Sequence, residues 1–272
     1  MMVNNREGML FLAVRAALQA GKSILDIYDS EEFEVEQKED DSPLTKADRS
    51  SHAIINAYLQ DSQVPILSEE GSQVDYSERR NWNPLWIVDP LDGTKEFIKR
   101  NGEFTINIAL VEDQRPKWGV IYVPVKKLLY FADVLECAYR IEDIDHENIP
   151  ATFAELVQKA QRLPVQREAY RQSYVIIGSR SHAGESLEAF VKEKEGQYGQ
   201  VEFISAGSSL KFCKVAEGEA DVYPRLSPTM EWDTAAGQAI VEAAGKSVKV
   251  WESGEELMYN RPKLKNPWFM VQ

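Results

Sequence analysis

Apolar residues recur at helical spacing near the start of the chain. They share one face of a 3.6-residue repeat and comprise Leu10, Val14, Ala17, Leu18, Gly21, Ile24, Leu25 and Tyr28. This periodicity predicts a long amphipathic helix that packs into the core and carries no functional site. A second helix is predicted near residues 45–61, because Thr45 is a suitable N-cap and Asp48 falls in the first turn.

Three apolar runs in the middle of the chain have the composition of β-strands. They cover residues 105–110, 118–123 and 128–132 and are separated by short polar or Pro-containing segments. Such runs predict antiparallel strands joined by short turns. Together with the two helices, they predict a first half in which helices cover a sheet.

Further along the chain, predicted strands alternate with predicted helices. The strands cover residues 174–177, 201–204 and 220–223, and the helices cover 186–195, 209–217 and 233–245. This alternation is typical of an α/β arrangement. The segment before it, residues 142–172, is rich in charge and Gln and is the best position for a boundary. We therefore predict an α+β half at residues 1–172 and an α/β half at residues 173–272.

The apolar run Trp86–Val88 is followed by two carboxylates, Asp89 and Asp92. Pro90 restricts φ and is expected to end the strand, and the glycine after Asp92 allows the chain to turn. Both acids and the Leu91 carbonyl can then point the same way, and oxygen ligands of this kind suit Mg²⁺ or Mn²⁺. For these residues taken alone, an ordinary Asp-Pro-x-Asp-Gly turn is the more frequent interpretation.

Other acidic residues also lie next to predicted elements. Glu69 and Glu70 end a short apolar run, Asp48 follows Thr45, and Asp233 precedes a helix rich in small residues. Taken singly, Glu69 and Glu70 are typical of an exposed loop, and Asp233 is typical of a helix N-cap. Their joint occurrence with the two aspartates indicates a common site.

In amino-acid sequence and in their order along the chain, these segments resemble the signature of the inositol monophosphatase superfamily of Mg²⁺-dependent, lithium-sensitive phosphatases. Residues 89–110, 179–182, 207–213 and 223–225 are more specifically similar to the bacterial CysQ-type 3′(2′),5′-bisphosphate nucleotidases. The resemblance implies a layered αβαβα sandwich with two sheets and flanking helices. It also implies removal of the 3′-phosphate from adenosine 3′,5′-bisphosphate (PAP), giving AMP and phosphate in sulfur assimilation, with PAPS as a further candidate substrate.

The resemblance further implies a site for two or three Mg²⁺ ions, with Mn²⁺ as an alternative. Glu69, Asp89 and the Leu91 carbonyl would hold the first ion. Asp89, Asp92 and Asp233 would hold the second, so that Asp89 bridges the two. A weaker third ion would lie near Glu69. A bridging carboxylate is chemically reasonable, because ions in such pairs lie roughly 3.5–4 Å apart.

Thr94, Asp48 and Glu70 are the catalytic residues that the resemblance implies. The family places the threonine hydroxyl beside the attacking water, and Asp48 would accept the proton of that hydroxyl and so turn an oxygen lone pair towards the water. Glu70 would support this network rather than bind metal. The backbone N–H groups of Gly93 and Thr94 are suited to bind phosphate. Taken alone, Thr94 is also a reasonable helix cap.

Residues of the second half are expected to recognise the second phosphate of the substrate. Ser208 and Lys211 lie three residues apart at a predicted helix start, where N–H groups and a cation suit an anion. Arg225 follows a Tyr-Pro bend and would bind the same phosphate or stack on the adenine. By resemblance, His182 would lie near the base. The full set expected to contact substrate is Glu69, Leu91, Asp92, Gly93, Thr94, His182, Ser208, Lys211, Arg225 and Asp233.

The formal net charge of −13 argues against a nucleic-acid-binding protein. Since the expected substrate is itself a polyanion, bound cations must reverse the local field before it can bind. Cys137 and Cys213 are too few for a disulfide framework and are expected to be reduced. No segment approaches the ~20 apolar residues of a membrane span, and no hydrophobic signal region is present. We expect a cytoplasmic monomer or homodimer, and weak association with the inner membrane stays open.

Two other functions are compatible with parts of this pattern. An inositol monophosphatase is the closest alternative, but a small cyclitol phosphate has little need of the Gly-Ser-Ser-Leu-Lys and Tyr-Pro-Arg segments. A non-catalytic protein that binds divalent cations is the alternative from another class. Such a protein would be expected to lose Asp48 or Thr94 first, and both are present.

Overall fold

The structure, a computed structural model, describes residues 6–30, 35–37, 43–165, 173–179 and 185–272. Its helices are α1 (Arg6–Tyr28), α2 (Lys46–Leu59), α3 (Tyr76–Arg79), α4 (Thr94–Ile98), α5 (Phe153–Lys159), α6 (Glu185–Tyr198), α7 (Leu210–Glu217) and α8 (Ala235–Ala243). Its strands are β1 (Val35–Gln37), β2 (Pro43–Thr45), β3 (Ile66–Ser68), β4 (Leu85–Asp92), β5 (Thr105–Glu112), β6 (Arg115–Val123), β7 (Leu128–Asp133), β8 (Cys137–Ile141), β9 (Gln161–Arg162), β10 (Tyr174–Gly178), β11 (Val201–Ser205), β12 (Tyr223–Arg225), β13 (Val248–Val250) and β14 (Phe269–Val271). Short 3₁₀ turns cover Gln60–Ser62 and Pro124–Lys126.

Strands β3 to β9 form a seven-stranded sheet in which the spatial order follows the chain order. Strands β3 and β4 are parallel, and all other neighbours are antiparallel. The three strands predicted in the middle of the chain are confirmed as β5, β6 and β7. Because β3 and β4 run in the same direction, the acids at their carboxyl ends meet at one edge of the sheet.

Both faces of this sheet are buried, and successive residues of β4 show it. Trp86 and Val88 pack with α1 and α2, whereas Leu85 and Ile87 pack with α7 and α8. Side chains alternate between the two faces of a strand, so a strand covered on both sides is apolar at every position. This explains why the first four residues of β4, 85–88, are all apolar rather than alternating.

Helices α1 and α2 pack together on one face of the sheet, as the periodicity predicts. Thr45 caps α2, and Asp48 closes a capping box by accepting a hydrogen bond from the Thr45 backbone N–H at 2.7 Å. By length and composition, α1 is long and apolar enough to cross a membrane. This corrects the expectation that no segment approaches the length and hydrophobicity of a membrane span. Half of its most apolar window is buried inside the protein, and α1 packs against β5 and β6, as expected of a core helix.

The second sheet combines a parallel pair, β10 and β11, with an antiparallel trio in the order β12-β14-β13. An isolated parallel bridge between Ile176 and Val222 connects the two parts. The predicted strand at 220–223 therefore begins only at Tyr223, because Val222 makes no more than this bridge.

Helices α7 and α8 lie between the two sheets, and α6 packs against β10 and β11. The layers are thus α1/α2, the first sheet, α7/α8, the second sheet and α6. This arrangement confirms the expected αβαβα sandwich of two sheets with flanking helices.

The two halves share a core, because α8 from the second half packs against β5, β6, β7 and β8. The segment at 142–172, expected to hold the boundary, contains α5 and also β9, which extends the first sheet. A division near residue 172 stays a prediction, and residues 166–172 lie outside the described ranges.

Candidate active site

Acidic residues converge where the parallel strands β3 and β4 end. The Glu69 backbone N–H donates to the Val88 carbonyl at 3.1 Å, which places Glu69 beside Asp89. Asp89 is 1% exposed and shares a side-chain hydrogen bond with Glu69. Burial raises the pKa of Asp89 well above its usual value, and the neighbouring charges of Glu69, Asp92 and Asp233 raise it further.

Strand β4 continues through Pro90 as far as Asp92, so the expectation that Pro90 ends the strand is wrong. The pairing with β5 shifts register between Asp89 and Asp92. A bulge of this kind tolerates proline, which has no N–H to donate to the ladder. The Pro90 carbonyl accepts a hydrogen bond from the Ser51 hydroxyl at 2.7 Å, and the Leu91 N–H donates to Asp89 Oδ1 at 3.0 Å. The bulge changes the direction of the strand so that the side chains of Asp89 and Asp92 both reach the site.

Asp233 arrives from the second half, in the turn before α8. Its Oδ2 accepts a hydrogen bond from the Met230 N–H at 2.9 Å. Burial raises the pKa of Asp233 to about 8, with repulsion from Asp92 as the next contribution. Asp233 therefore joins the same group of carboxylates as Asp89 and Asp92.

In the part of the chain that the structure describes, no three His, Cys, Asp or Glu side chains are already arranged as a metal-binding group. The carboxylates instead take hydrogen bonds from nearby N–H and hydroxyl groups. The chemistry of the donors nevertheless fits a divalent cation, because they are all oxygens and because burial and then mutual repulsion raise the pKa values of Asp89 and Asp233. A hard cation among them would remove that repulsion.

Thr94 and Asp48 lie next to these acids and contact each other directly. The Thr94 hydroxyl donates to Asp48 Oδ1 at 3.2 Å, and the Thr45 hydroxyl donates to Asp48 Oδ2 at 2.5 Å. Thr94 is the first residue of α4 and follows Gly93, whose φ of 96° lies in the left-handed region. The expected Thr94–Asp48 contact is therefore present, and the catalytic role of the pair stays a prediction.

Glu70 lies in the turn that follows β3. Burial lowers the pKa of His52, and the nearby negative charge of Glu70 opposes this shift. The His52 ring in turn is 2.9 Å from the Ser68 hydroxyl and 2.8 Å from the Asn56 amide. Helix α2 thus supports the turn that carries Glu69 and Glu70. A catalytic role for Glu70 stays a prediction.

A pocket opens between the two halves, and both acids and cations line it. Its lining includes Asp92, Gly93, Ser208, Lys211, Arg225 and Asp233. Gly93 has no room for a side chain, because a Cβ would lie 2.2 Å from the Ser208 hydroxyl oxygen. The pocket therefore brings together predicted metal ligands and predicted phosphate contacts.

Lys211 is 5% exposed and reaches this pocket from the first turn of α7. Its Nζ donates to the Ser208 carbonyl at 2.6 Å and to the Ala206 carbonyl at 3.2 Å. Burial lowers the pKa of Lys211 to about 8. Because an ammonium group has three protons, these two bonds leave one for a ligand.

Ser208 precedes α7 with a φ of 46°, so it does not lie on the helix as the three-residue spacing predicts. Its hydroxyl lies 2.8 Å from the Asp92 carbonyl and 2.8 Å from the Glu103 carbonyl, where it can donate to either one. The side chain therefore joins the two halves, and its role in binding substrate stays a prediction.

Arg225 extends into the pocket from β12. One guanidinium nitrogen donates to the Pro228 carbonyl at 3.0 Å. Its Nε is buried and has no hydrogen-bond partner among the described residues. The expectation for His182 falls on residues 180–184, which lie outside the described ranges.

Sequence reasoning missed a set of buried polar residues behind the acids. Thr105, Asn107 and Ser209 are at most 2% exposed and contact Asp92 or one another. The signal was present in β5, where Thr and Asn interrupt an apolar run at alternate positions. Alternate residues of a strand share a face, so both point towards the site.

A sequence model of the inositol monophosphatase family matches residues 5–267. The chain belongs to the inositol monophosphatase family. Within this family it is 42% identical to the 3′(2′),5′-bisphosphate nucleotidase CysQ of Salmonella typhimurium LT2, over 97% of this chain and 99% of the relative. It is 41% identical to the CysQ protein of Escherichia coli K12, over the same shares of the two chains.

Solved structures of the inositol monophosphatase family have the same fold. The crystal structure of CysQ from Bacteroides thetaiotaomicron has a TM-score of 0.90 and 49% identity and covers 98% of this chain and 97% of that one. The extragenic suppressor protein SuhB from Bartonella henselae has a TM-score of 0.72 and 23% identity, over 97% of this chain and 92% of that one. The second likeness concerns the fold alone.

Proposed function

We propose that this protein is a Mg²⁺-dependent 3′(2′),5′-bisphosphate nucleotidase that removes the 3′-phosphate of PAP to give AMP and phosphate. The observation that carries the proposal is the pocket whose lining combines Asp92 and Asp233 with Lys211 and Arg225. A substrate with two phosphates needs both the metal ligands and the cations. Relatives named for this activity cover nearly the whole chain at 40–42% identity.

The scissile phosphate would bind beside the carboxylates. Glu69, Asp89 and the Leu91 carbonyl would hold one Mg²⁺ ion, Asp89, Asp92 and Asp233 would hold a second, and a weaker third ion would lie near Glu69. When bound, such ions lower the pKa of the attacking water and neutralise charge on the phosphoryl oxygens. Until cations bind, these carboxylates repel a phosphate. The protein therefore requires its cations for substrate binding as well as for hydrolysis.

Thr94 and Asp48 would orient the attacking water. Asp48 Oδ1 accepts a hydrogen bond from the Thr94 hydroxyl, with the two oxygens 3.2 Å apart. The lone pairs of the hydroxyl oxygen are then free to accept a proton from the water. Asp48 is itself fixed by the Thr45 hydroxyl and backbone N–H. Glu70 would support this network. The backbone N–H groups of Gly93 and Thr94 would contact the phosphate, since glycine allows a close approach.

Lys211 and Arg225 would bind the 5′-phosphate, which does not react. Lys211 has one ammonium proton beyond its two carbonyl bonds, and the Arg225 Nε–H lacks a partner among the described residues. Both are donors suited to a phosphate oxygen. We further propose that the enzyme accepts PAPS, acts in sulfur assimilation and is cytoplasmic, as a monomer or homodimer.

The test measures phosphate release from PAP and from inositol 1-phosphate by the purified protein, with excess Mg²⁺ or with EDTA. We expect hydrolysis of PAP only with Mg²⁺ and a much higher kcat/KM for PAP than for inositol 1-phosphate. Preference for inositol 1-phosphate would identify an inositol monophosphatase. No hydrolysis of either substrate, with Mg²⁺ still bound, would support the non-catalytic alternative.

A further inference from the structure

We propose that Ser209 is a positioning residue that fixes Asp92, from the first half, relative to Asp233, from the second. Ser209 also lies in the pocket lining, but its hydroxyl contacts Asp92, Asn107 and the Asp233 carbonyl. The inference rests on the proposed function, because it concerns how the predicted metal ligands are held. Its direct readout is cation affinity, which is independent of the identity of the substrate.

Ser209 is the point where three segments of the chain meet. Its hydroxyl oxygen is 2.8 Å from Asp92 Oδ2 and 2.9 Å from the Asp233 carbonyl oxygen. The Asn107 side-chain N–H donates to the same hydroxyl at 2.9 Å. A hydroxyl has one proton and two lone pairs, so Ser209 accepts from Asn107 and donates to Asp92 or to the Asp233 carbonyl. One small side chain thus connects β5, the end of β4 and the turn before α8.

Asn107 is held in the orientation that this contact requires. The Thr105 hydroxyl donates to Asn107 Oδ1 at 2.9 Å, which leaves the Asn107 amide protons directed at Ser209. Longer contacts of 3.4 Å from Asn107 and 3.5 Å from Thr105 also reach Asp92 Oδ2. Thr105 is 0%, Asn107 1% and Ser209 2% exposed. The three polar residues therefore form a dehydrated chain that ends on a predicted metal ligand.

Burial gives these contacts their importance. A buried polar group that loses its partner cannot bind water instead, so a broken link is costly and the chain keeps its geometry. Without the Ser209 hydroxyl, Asp92 would keep only the longer contacts, and the link to Asp233 would be lost. Groups that orient metal ligands in this way change metal affinity by roughly 10–100-fold when they are removed.

The test uses Ser209→Ala, which removes the hydroxyl with little change in volume. The matched control is Ser23→Ala, which removes a half-buried hydroxyl that is 2.7 Å from the Ser50 hydroxyl in the contact between α1 and α2. Mn²⁺ binding to the metal-free full chain is followed by the electron paramagnetic resonance signal of free Mn²⁺, without substrate. We expect Mn²⁺ affinity to fall at least tenfold for Ser209→Ala and to change less than twofold for Ser23→Ala.

Thr105→Val provides a second variant that conserves shape and keeps Ser209. It should weaken Mn²⁺ binding in the wild-type background and have a smaller effect in the Ser209→Ala background, because its shorter route to Asp92 runs through Asn107 and the Ser209 hydroxyl and only its own 3.5 Å contact then remains. If Ser209→Ala does not fold, as judged by circular dichroism, Thr105→Val carries the test alone.

Unchanged Mn²⁺ affinity in a folded Ser209→Ala protein would overturn the inference, and so would additive effects of the two substitutions. Both outcomes leave the proposed function intact if the wild-type protein binds Mn²⁺ and hydrolyses PAP. A wild-type protein that neither binds Mn²⁺ nor hydrolyses PAP would instead overturn the proposed function, and the inference with it.

Discussion

Lys211→Met gives the sharpest test of substrate recognition. Methionine fills a similar volume but offers neither charge nor proton. The substitution leaves the Ala206 and Ser208 carbonyls without their present donor, at a cost of roughly 1–3 kcal/mol each if both stay buried. It also removes an ammonium whose pKa falls from 10.5 to about 8, a shift that corresponds to roughly 3 kcal/mol of buried-charge cost. Because the two effects oppose each other, we expect the variant to fold.

The effect on catalysis follows from the phosphate that Lys211 is proposed to bind. A hydrogen bond to a charged group contributes roughly 1.5–3 kcal/mol, which corresponds to a KM for PAP about 10- to 150-fold higher. The 5′-phosphate does not react, so the contact should be equally strong in the ground and transition states and kcat should change little. Inositol 1-phosphate has no second phosphate, and its hydrolysis should scarcely change.

The assay is a steady-state comparison of both substrates, with Lys214→Met as the matched control. Lys214 lies on the same helix but forms ion pairs with Glu217 and Glu219, away from the pocket lining. We expect the control to keep the wild-type KM for PAP. An equal loss of activity on both substrates would refute the reasoning, because Lys211 would then belong to the general scaffold.

The dependence on pH provides an independent measurement of the same contact. Lys211 is charged below about pH 8 and neutral above it, because burial lowers its pKa. We therefore expect the KM for PAP to rise as the pH increases past about 8 in the wild-type enzyme. The profile of Lys211→Met should lack this rise, and a rise of the same size in that variant would assign it to another group.

Four further outcomes are expected. Asp89→Asn should abolish activity at every Mg²⁺ concentration, because a neutral amide cannot bridge two cations; rescue by excess Mg²⁺ would refute the bridging role. Thr94→Ala and Asp48→Asn should each lower kcat by ~10²–10⁴-fold, and the double variant should be no slower than either one, whereas losses that multiply would separate the two residues. Burial raises the pKa of Asp233 to about 8, so the folded state keeps a proton that the unfolded state releases near pH 4. In EDTA, thermal stability should therefore fall as the pH rises from about 4 to about 8, and Mg²⁺ should remove this loss. Ca²⁺ should inhibit by displacing Mg²⁺, since its looser geometry suits this reaction poorly, and full activity with Ca²⁺ alone would contradict the site.

Local patterns in the sequence determine most of the elements. The helical repeat that starts at Leu10 predicts α1, and Thr45 with Asp48 marks the start of α2. These signals are readable because they involve residues within about one or two turns of each other. The prediction that Pro90 ends the strand was wrong because a bulge is not a local signal. It depends on the partner strand β5 and on the Ser51 hydroxyl, which donates to the Pro90 carbonyl.

The residue types of the site are also readable from the sequence, because acids after apolar runs and the family resemblance single them out. Only the tertiary structure decides how they are held. Ser208 and Lys211 appear in the sequence as polar groups free for a phosphate, whereas in the fold both contact backbone carbonyls. Such partners are distant in sequence or depend on loop conformation, and no local pattern records them.

The buried chain behind Asp92 shows this difference most clearly. Thr105 and Asn107 could be placed on one face of a strand from the sequence alone, but not opposite Ser209, which lies about 100 residues further along the chain. The sequence by itself determined the fold class and the chemistry of the ligands. The packing of two halves against a shared α7/α8 layer decided which polar residues are dehydrated together, because burial is a property of the whole assembly of elements.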